Sequence, residues 1–152
     1  GNLVIGFILS MVFIITSTYL EDGNINPKII PPATLAFILM VIREIVKDIA
    51  DLEGDKKFNI HTLPVKYGVV ISFRIILFFA ILLTLASISY YYSYESYGIQ
   101  YIIMLICFIL APLFYFLYQL SQNKTSIYCI YLSKVLKFIT IFGVIVIYLT
   151  NI

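Results

Sequence analysis

Charged residues are scarce in this chain. Only 12% of its 152 residues are Asp, Glu, Lys or Arg, whereas 62% are hydrophobic. Soluble domains contain about 25% charged and about 45–50% apolar residues, so the composition excludes a soluble globular domain and predicts an integral membrane protein. Internal repeats and low-complexity linkers are also lacking. We therefore expect a single helical domain.

Other absences narrow the possible functions. Cys107 and Cys129 lack the spacing of metal or redox sites, so we expect them to be reduced packing residues. Basic patches interleaved with exposed aromatic residues are not seen, which argues against nucleic-acid binding. No initiating Met, charged n-region or small-residue cleavage site accompanies the first apolar segment, so we do not expect it to be a signal peptide. We expect the chain to be the latter part of a longer protein.

Apolar segments dominate the rest of the sequence. Each of five is long enough to cross, or nearly cross, a hydrocarbon core of about 30 Å. We expect the second to continue as a helix that leaves the membrane with the acidic residues described below. Pro31 and Pro32 end the first connection where proline can begin a helix. The predicted fold is an all-α polytopic transmembrane bundle with segments Leu3–Leu20, Ala33–Lys47, Val69–Tyr92, Ile99–Leu120 and Ser133–Ile152.

Basic residues predict how these segments are oriented. Of the ten Lys and Arg residues, only Lys28 lies at the first connection, and the other nine flank the second and fourth. Cytoplasmic loops of membrane proteins are enriched in Lys and Arg. We therefore expect a multi-pass cell-membrane protein whose second and fourth connections are cytoplasmic and whose C-terminus is outside. The nine residues are Arg43, Lys47, Lys56, Lys57, Lys66, Arg74, Lys124, Lys134 and Lys137.

Acidic residues are concentrated just after the second segment, where residues 43–55 contain five of the eight. At about 100° per residue, four of them fall on one strip of a helix. Two carboxylates about 6 Å apart repel by about 3 kcal/mol at an effective dielectric near 20, so the strip needs a cation. Oxygen ligands at a partly open site suit Mg²⁺, which is usually shared with substrate phosphates. A solvated helix end is the alternative, which the membrane boundary disfavours. The predicted metal ligands are Glu44, Asp48, Asp51 and Asp55.

A polar loop with many hydrogen-bond donors follows at residues 56–68. Carboxylate-bound Mg²⁺ and Lys ammonium groups together can neutralise a diphosphate and lower the barrier to its departure. The lysines of this loop could instead serve only to keep it on the cytoplasmic side of the membrane, and His61 could be a solvated or helix-capping residue. For Arg43 and Lys47, contact with a substrate phosphate and balance of the acidic strip both remain open. The predicted substrate-binding residues are Arg43, Lys47, Lys56, Lys57 and His61.

These motifs resemble the second aspartate-rich motif of the UbiA superfamily of intramembrane prenyltransferases. The resemblance rests on Asp48-x-x-Asp51-x-x-x-Asp55, the basic loop, Thr62-Leu63-Pro64 and Gly68. It implies a nine-helix domain, with this chain as helices 5 to 9 and Asp48, Asp51 and Asp55 as catalytic residues. The first motif, Asn-Asp-x-x-x-Asp-x-x-x-Asp, is absent. We therefore expect residues 1–152 to be the C-terminal part of the domain, inactive without the missing N-terminal half.

Within the superfamily, residues 43–55 are most similar to the archaeal digeranylgeranylglyceryl phosphate synthase branch. That similarity implies transfer of a geranylgeranyl group from its diphosphate to the free hydroxyl of geranylgeranylglyceryl phosphate, in ether-lipid synthesis. Mg²⁺ would draw the diphosphate away, leaving an allylic cation that aromatic faces can stabilise. The aromatic candidates, with ordinary helix packing as the alternative, are Phe108, Phe114, Tyr115 and Tyr118.

Two alternative functions remain. The first is another UbiA-type enzyme that prenylates an aromatic quinone precursor or haem. The second is a divalent-cation channel or transporter with an acidic mouth, which would need polar residues along its spans. The third and fourth segments contain no acidic residue, which disfavours the channel.

Overall fold

The helices account for nearly all of the described chain. A computed structural model describes residues 1–20, 22–93, 98–123 and 125–150, without the side chains of 144–150. Over these ranges the elements are helical and include no strand, which confirms the all-α class. The helices are α1 (Asn2–Leu20), α2 (Ile30–Ala50), α3 (Leu52–Lys57), α4 (Leu63–Tyr67), α5 (Val69–Ser93), α6 (Ile99–Leu105), α7 (Ala111–Gln122) and α8 (Ser126–Thr150), with a 3₁₀ turn at Pro27–Ile29 and a π-helical turn at Ile106–Leu110.

Five helical stretches in the described residues are long and apolar enough to cross a membrane, as predicted. The predicted start of the second helix at Ala33 was wrong, because Pro31 and Pro32 occupy its first turn. The helix continues past Lys47 to Ala50, as expected. The last helix begins at Ser126 rather than at Ser133, so Lys134 lies within it. The predicted end of this segment at Ile152 falls outside the described residues.

Helix α2 lies at the centre of the bundle and packs against α1, α5 and α8. Within its span 67% of the residues are buried, against 17% for α1 and 22% for α5. At its end, the Ser126 hydroxyl of α8 donates to the carbonyl of Ala50. Because α2 is surrounded by protein, its neighbours rather than lipid determine the environment of the polar side chains that it carries.

Helix α1 approaches α2 very closely at Gly6. A Cβ atom added there would lie 3.0 Å from Val41 Cγ2 and 3.1 Å from the carbonyl oxygen of Phe37. Ser10 and Ser17, which share this face with Gly6, are buried as well. Small side chains allow transmembrane helices to pack backbone against backbone. This packing fixes the start of α1 beside the last turns of α2.

Candidate active site

The sequence predicts that the acidic strip lies on one uninterrupted helix, and this prediction was wrong. Helix α2 ends at Ala50, and Asp51 (φ −91, ψ 7) separates it from α3. Aspartate is a weak helix former because its side chain competes for backbone hydrogen bonds. The backbone N–H of Asp51 still donates to the carbonyl of Lys47, and that of Asp55 to Asp51, both at 2.9 Å. The four-residue spacing of the strip therefore persists across the break.

Asp48 lines a partly open cavity of about 640 Å³ that is bordered by residues of α1, α2, α4, α5 and the loop before α4. Its carboxylate Oδ2 accepts a hydrogen bond of 2.7 Å from Nδ2 of Asn2. No other hydrogen bond from a described residue reaches this carboxylate. The polar lining residues are Asn2, Asp48, His61 and Thr62, and the apolar ones include Leu3, Val4, Val41, Ile45, Ile60, Leu63, Ile75 and Phe79.

The other carboxylates of the strip have different partners. Glu44 is buried, and its Oε1 forms an ion pair of 2.6 Å with Nη1 of Arg43, whose side chain is 28% exposed. This contact supports the charge-balancing interpretation of Arg43. Asp55 Oδ2 accepts a hydrogen bond of 3.0 Å from the Thr62 hydroxyl, which ties α3 to the start of α4. Asp51 is exposed at the break.

The predicted phosphate-binding residues lie on the same end of the bundle. Lys47, Lys56 and Lys57 are exposed, and none of them forms an ion pair with a described residue. Lys57 Nζ lies 6.0 Å from the centroid of the Phe58 ring. His61 is also exposed, and it is the one member of this predicted set that lines the cavity.

Within the described part of the chain, no three His, Cys, Asp or Glu side chains are placed to hold one metal ion. The four predicted ligands are thus not gathered around a single point. Glu44 pairs instead with Arg43, and Asp55 accepts a hydrogen bond from Thr62. Mg²⁺ usually binds through one or two carboxylates, with waters and substrate phosphates as further ligands. Asp48, with one oxygen free of hydrogen bonds, fits such a shared ion better than a closed metal cage.

The aromatic candidates lie elsewhere. Phe108, Phe114, Tyr115 and Tyr118 are exposed, and none of them lines the cavity. Phe108 instead stacks on Phe142, with ring centroids 5.6 Å apart. The aromatic side chain that does line the cavity is Phe79 of α5.

Sequence reasoning also missed Asn2. It touches a residue 46 positions away, and nothing local in the sequence marks that contact. The available signal is the spacing of Asn2, Gly6, Ser10 and Ser17, which places small and polar residues on one face of α1.

The sequence model of the UbiA prenyltransferase family matches residues 1–141. The chain belongs to the UbiA family. Digeranylgeranylglyceryl phosphate synthase from Methanosphaera stadtmanae is 32% identical over 142 residues, which cover 90% of this chain and 48% of that protein. The synthase of the same name from Methanocaldococcus jannaschii is 33% identical over 149 residues, covering 93% and 47%. The chain thus spans about half the length of the curated relatives that it matches.

A solved structure supports the same placement within the UbiA family. It was reported with structural and mechanistic insights into digeranylgeranylglyceryl phosphate synthase in membranes. Its TM-score to this chain is 0.87 at 26% sequence identity, and the match covers 99% of this chain and 52% of the other. This likeness confirms the UbiA-type arrangement of the helices.

Proposed function

We propose that the full-length protein transfers a geranylgeranyl group from geranylgeranyl diphosphate to the free hydroxyl of geranylgeranylglyceryl phosphate, in archaeal ether-lipid synthesis. The observation that carries this proposal is the position of Asp48, a carboxylate facing an otherwise largely apolar cavity between membrane helices. The UbiA relatives named for this synthase activity support the choice of donor and acceptor.

The cavity suits a ligand that is polar at one end and apolar along the rest. Its polar lining comes from the start of α1, the last turns of α2 and the loop before α4, whereas Ile75 and Phe79 of α5 contribute apolar walls. Its volume of about 640 Å³ falls within the range of about 300–1,000 Å³ typical of ligand pockets. A prenyl diphosphate has this division, with a charged head and a hydrocarbon tail.

The charged residues around the cavity take separate roles in this proposal. Asp48, Asp51 and Asp55 would hold the Mg²⁺ ions that accompany the diphosphate, sharing them with its phosphate oxygens, while Glu44 remains paired with Arg43. Bound Mg²⁺ supplies positive charge that offsets the charge developing on the departing diphosphate. Lys47, Lys56, Lys57 and His61 donate hydrogen bonds to phosphate oxygens from the same end of the bundle, where they are exposed and form no ion pair with a described residue. This end faces the cytoplasm.

One acidic strip is too little for the whole reaction. A leaving diphosphate needs positive charge on several sides, and Asp48 is the one carboxylate among the described residues that lines the cavity. We therefore propose that further helices of the full-length protein supply the second set of metal ligands and close the open side of the cavity. Residues 1–152 alone are expected to bind Mg²⁺–diphosphate weakly and to transfer no prenyl group. Activity of this piece that matched the full-length protein would show that its site is complete.

The substrate test uses the full-length protein in lipid nanodiscs with labelled geranylgeranyl diphosphate. The acceptors are geranylgeranylglyceryl phosphate, an aromatic quinone precursor and haem. We expect Mg²⁺-dependent formation of the diether product and no product with the other two acceptors. Preference for the aromatic acceptor or haem would replace the ether-lipid function by another activity of the UbiA family. Absence of transfer to every acceptor would refute the proposal.

A further inference from the structure

The amide of Asn2 makes the one hydrogen bond that reaches the Asp48 carboxylate from the described residues. Its length of 2.7 Å is at the short end of the range for N–H···O bonds, as is usual when the acceptor is ionised. Asn2 and Asp48 both line the cavity. The contact therefore lies beside the space that a ligand would fill, not behind it.

The rigidity of α1 determines where this amide can be. Gly6, one turn further along α1, packs its backbone against Val41 and Phe37 of α2 so closely that even a Cβ atom would require its neighbours to shift. A helix anchored this closely cannot slide along its neighbour without breaking that packing. The Asn2 amide is thus presented to Asp48 by two packed helices.

Asp48 needs such a partner because of the charges around it. The carboxylates of Glu44 and Asp55 act on it, opposed by the ammonium group of Lys47. Without a donor, repulsion from Asp55, and from Glu44 to the extent that Arg43 leaves its charge unbalanced, would favour side-chain rotamers that turn Asp48 away from them. An asparagine amide holds the carboxylate by a hydrogen bond and leaves its negative charge intact. A lysine or arginine at the same position would compete with any cation.

We propose that Asn2 is a positioning residue, which holds Asp48 by Oδ2 so that Oδ1 stays directed at the cation of a metal-diphosphate ligand in the cavity. This inference rests on the proposed function for the identity of that ligand. Hydrogen bonds to a ligating carboxylate orient it and tune its affinity for metal, and their loss typically lowers affinity or activity by about 10–100-fold.

The test measures binding of Mn²⁺ with inorganic diphosphate to the full-length protein by electron paramagnetic resonance, with no prenyl substrate present. Asn2→Leu keeps the side-chain shape and removes the donor, and we expect it to weaken Mn²⁺ binding by about 10–100-fold. Asn2→Gln keeps the amide and should restore part of the affinity. Ser10→Ala is the matched control, because Ser10 lies on the same face of α1 and bonds the carbonyl of Phe7 in its own helix. It should bind Mn²⁺ like the wild type.

A double-mutant cycle separates positioning from a general effect on the fold. In the Asp48→Asn background, Asn2→Leu should cause no further loss of Mn²⁺ affinity, since the oxygen that it orients has lost its charge. Unfolding midpoints identify variants that fail to fold, and Asn2→Ser replaces Asn2→Leu if that variant does. Wild-type affinity in the folded variant, an equal loss in the Asp48→Asn background, or no Mn²⁺ binding by the wild type would each overturn the inference.

The result is distinguishable from failure of the proposed function. If the wild-type protein transfers no prenyl group but its Mn²⁺ affinity still depends on Asn2 through Asp48, positioning stands and the assigned reaction falls. If transfer occurs and Asn2→Leu changes neither the Mn²⁺ affinity nor the rate, the reaction stands and positioning falls.

Discussion

Replacement of Gly6 by alanine tests the close packing that sets α1 against α2. The added Cβ would lie 3.0 Å from Val41 Cγ2, 3.1 Å from Phe37 Cδ2 and 3.1 Å from the Phe37 carbonyl oxygen. The two side-chain atoms can yield, but the carbonyl oxygen is part of the α2 backbone, so α1 must move. Overpacking of this kind costs about 1–3 kcal/mol, against a gain of about 0.5–1 kcal/mol from replacing a helical glycine by alanine.

The free-energy cost of overpacking should therefore exceed the gain from replacing a helical glycine by alanine. We expect Gly6→Ala to lower the free energy of unfolding by about 1 kcal/mol, and Gly6→Leu to lower it considerably more. Gly54 of α3 is the matched control, because a Cβ there meets nothing within 4 Å. Gly54→Ala should raise the stability by about 0.5–1 kcal/mol. The assay is reversible unfolding in mixed micelles by titration with a denaturing detergent. If Gly6→Ala were as stabilising as Gly54→Ala, the close approach of α1 to α2 would be wrong.

Two further predictions concern topology and the turn before α5. In a background without Cys107 and Cys129, a cysteine at Asn59 should react with impermeant maleimide only from the cytoplasmic side and one at Asn24 only from outside, because nine of the ten basic residues flank the second and fourth connections. Labelling of both from one side would contradict the orientation. Gly68 has φ 84 and ψ 162, a region that is essentially restricted to glycine, so Gly68→Ala should cost about 1–3 kcal/mol in thermal unfolding. Gly98→Ala, at φ −78, should be nearly neutral, and equal losses for the two variants would refute the strain argument.

The number of spans could be predicted because each corresponds to its own apolar run. Runs of this length in a chain with 12% charged residues leave few alternatives to membrane helices. The ends of the helices were harder to predict than their number, since Pro31 can either precede a helix or occupy its first turn. The start of α8 at Ser126 was readable in the sequence, because residues 127–132 continue its apolar run. The hydrogen bond from Ser126 to the carbonyl of Ala50 at the end of α2 joins residues 76 positions apart, and no local pattern predicts it.

The site could be predicted only in part, for the same physical reason. Helical spacing placed Asp48 on a strip with other carboxylates, and the structure keeps that spacing despite the break at Asp51. Which carboxylate faces the cavity depends on how α1 and α5 pack around α2, as does the contact with Asn2. The aromatic residues show why the sequence alone does not predict which side chains line the cavity. With 13 Tyr and 12 Phe in the chain, composition cannot distinguish Phe79, which lines the cavity, from Phe114, which does not.

The most direct test of the account compares the initial rates of prenyl transfer by full-length Asp48→Asn and Glu53→Gln variants across a Mg²⁺ titration. Asp48→Asn removes the charge from the carboxylate that lines the cavity, whereas Glu53 is exposed on α3 outside it. The account predicts a loss of more than about a hundredfold for Asp48→Asn, in a protein that still folds, and a mild effect for Glu53→Gln. A near-normal rate with unchanged Mg²⁺ dependence in Asp48→Asn would contradict it.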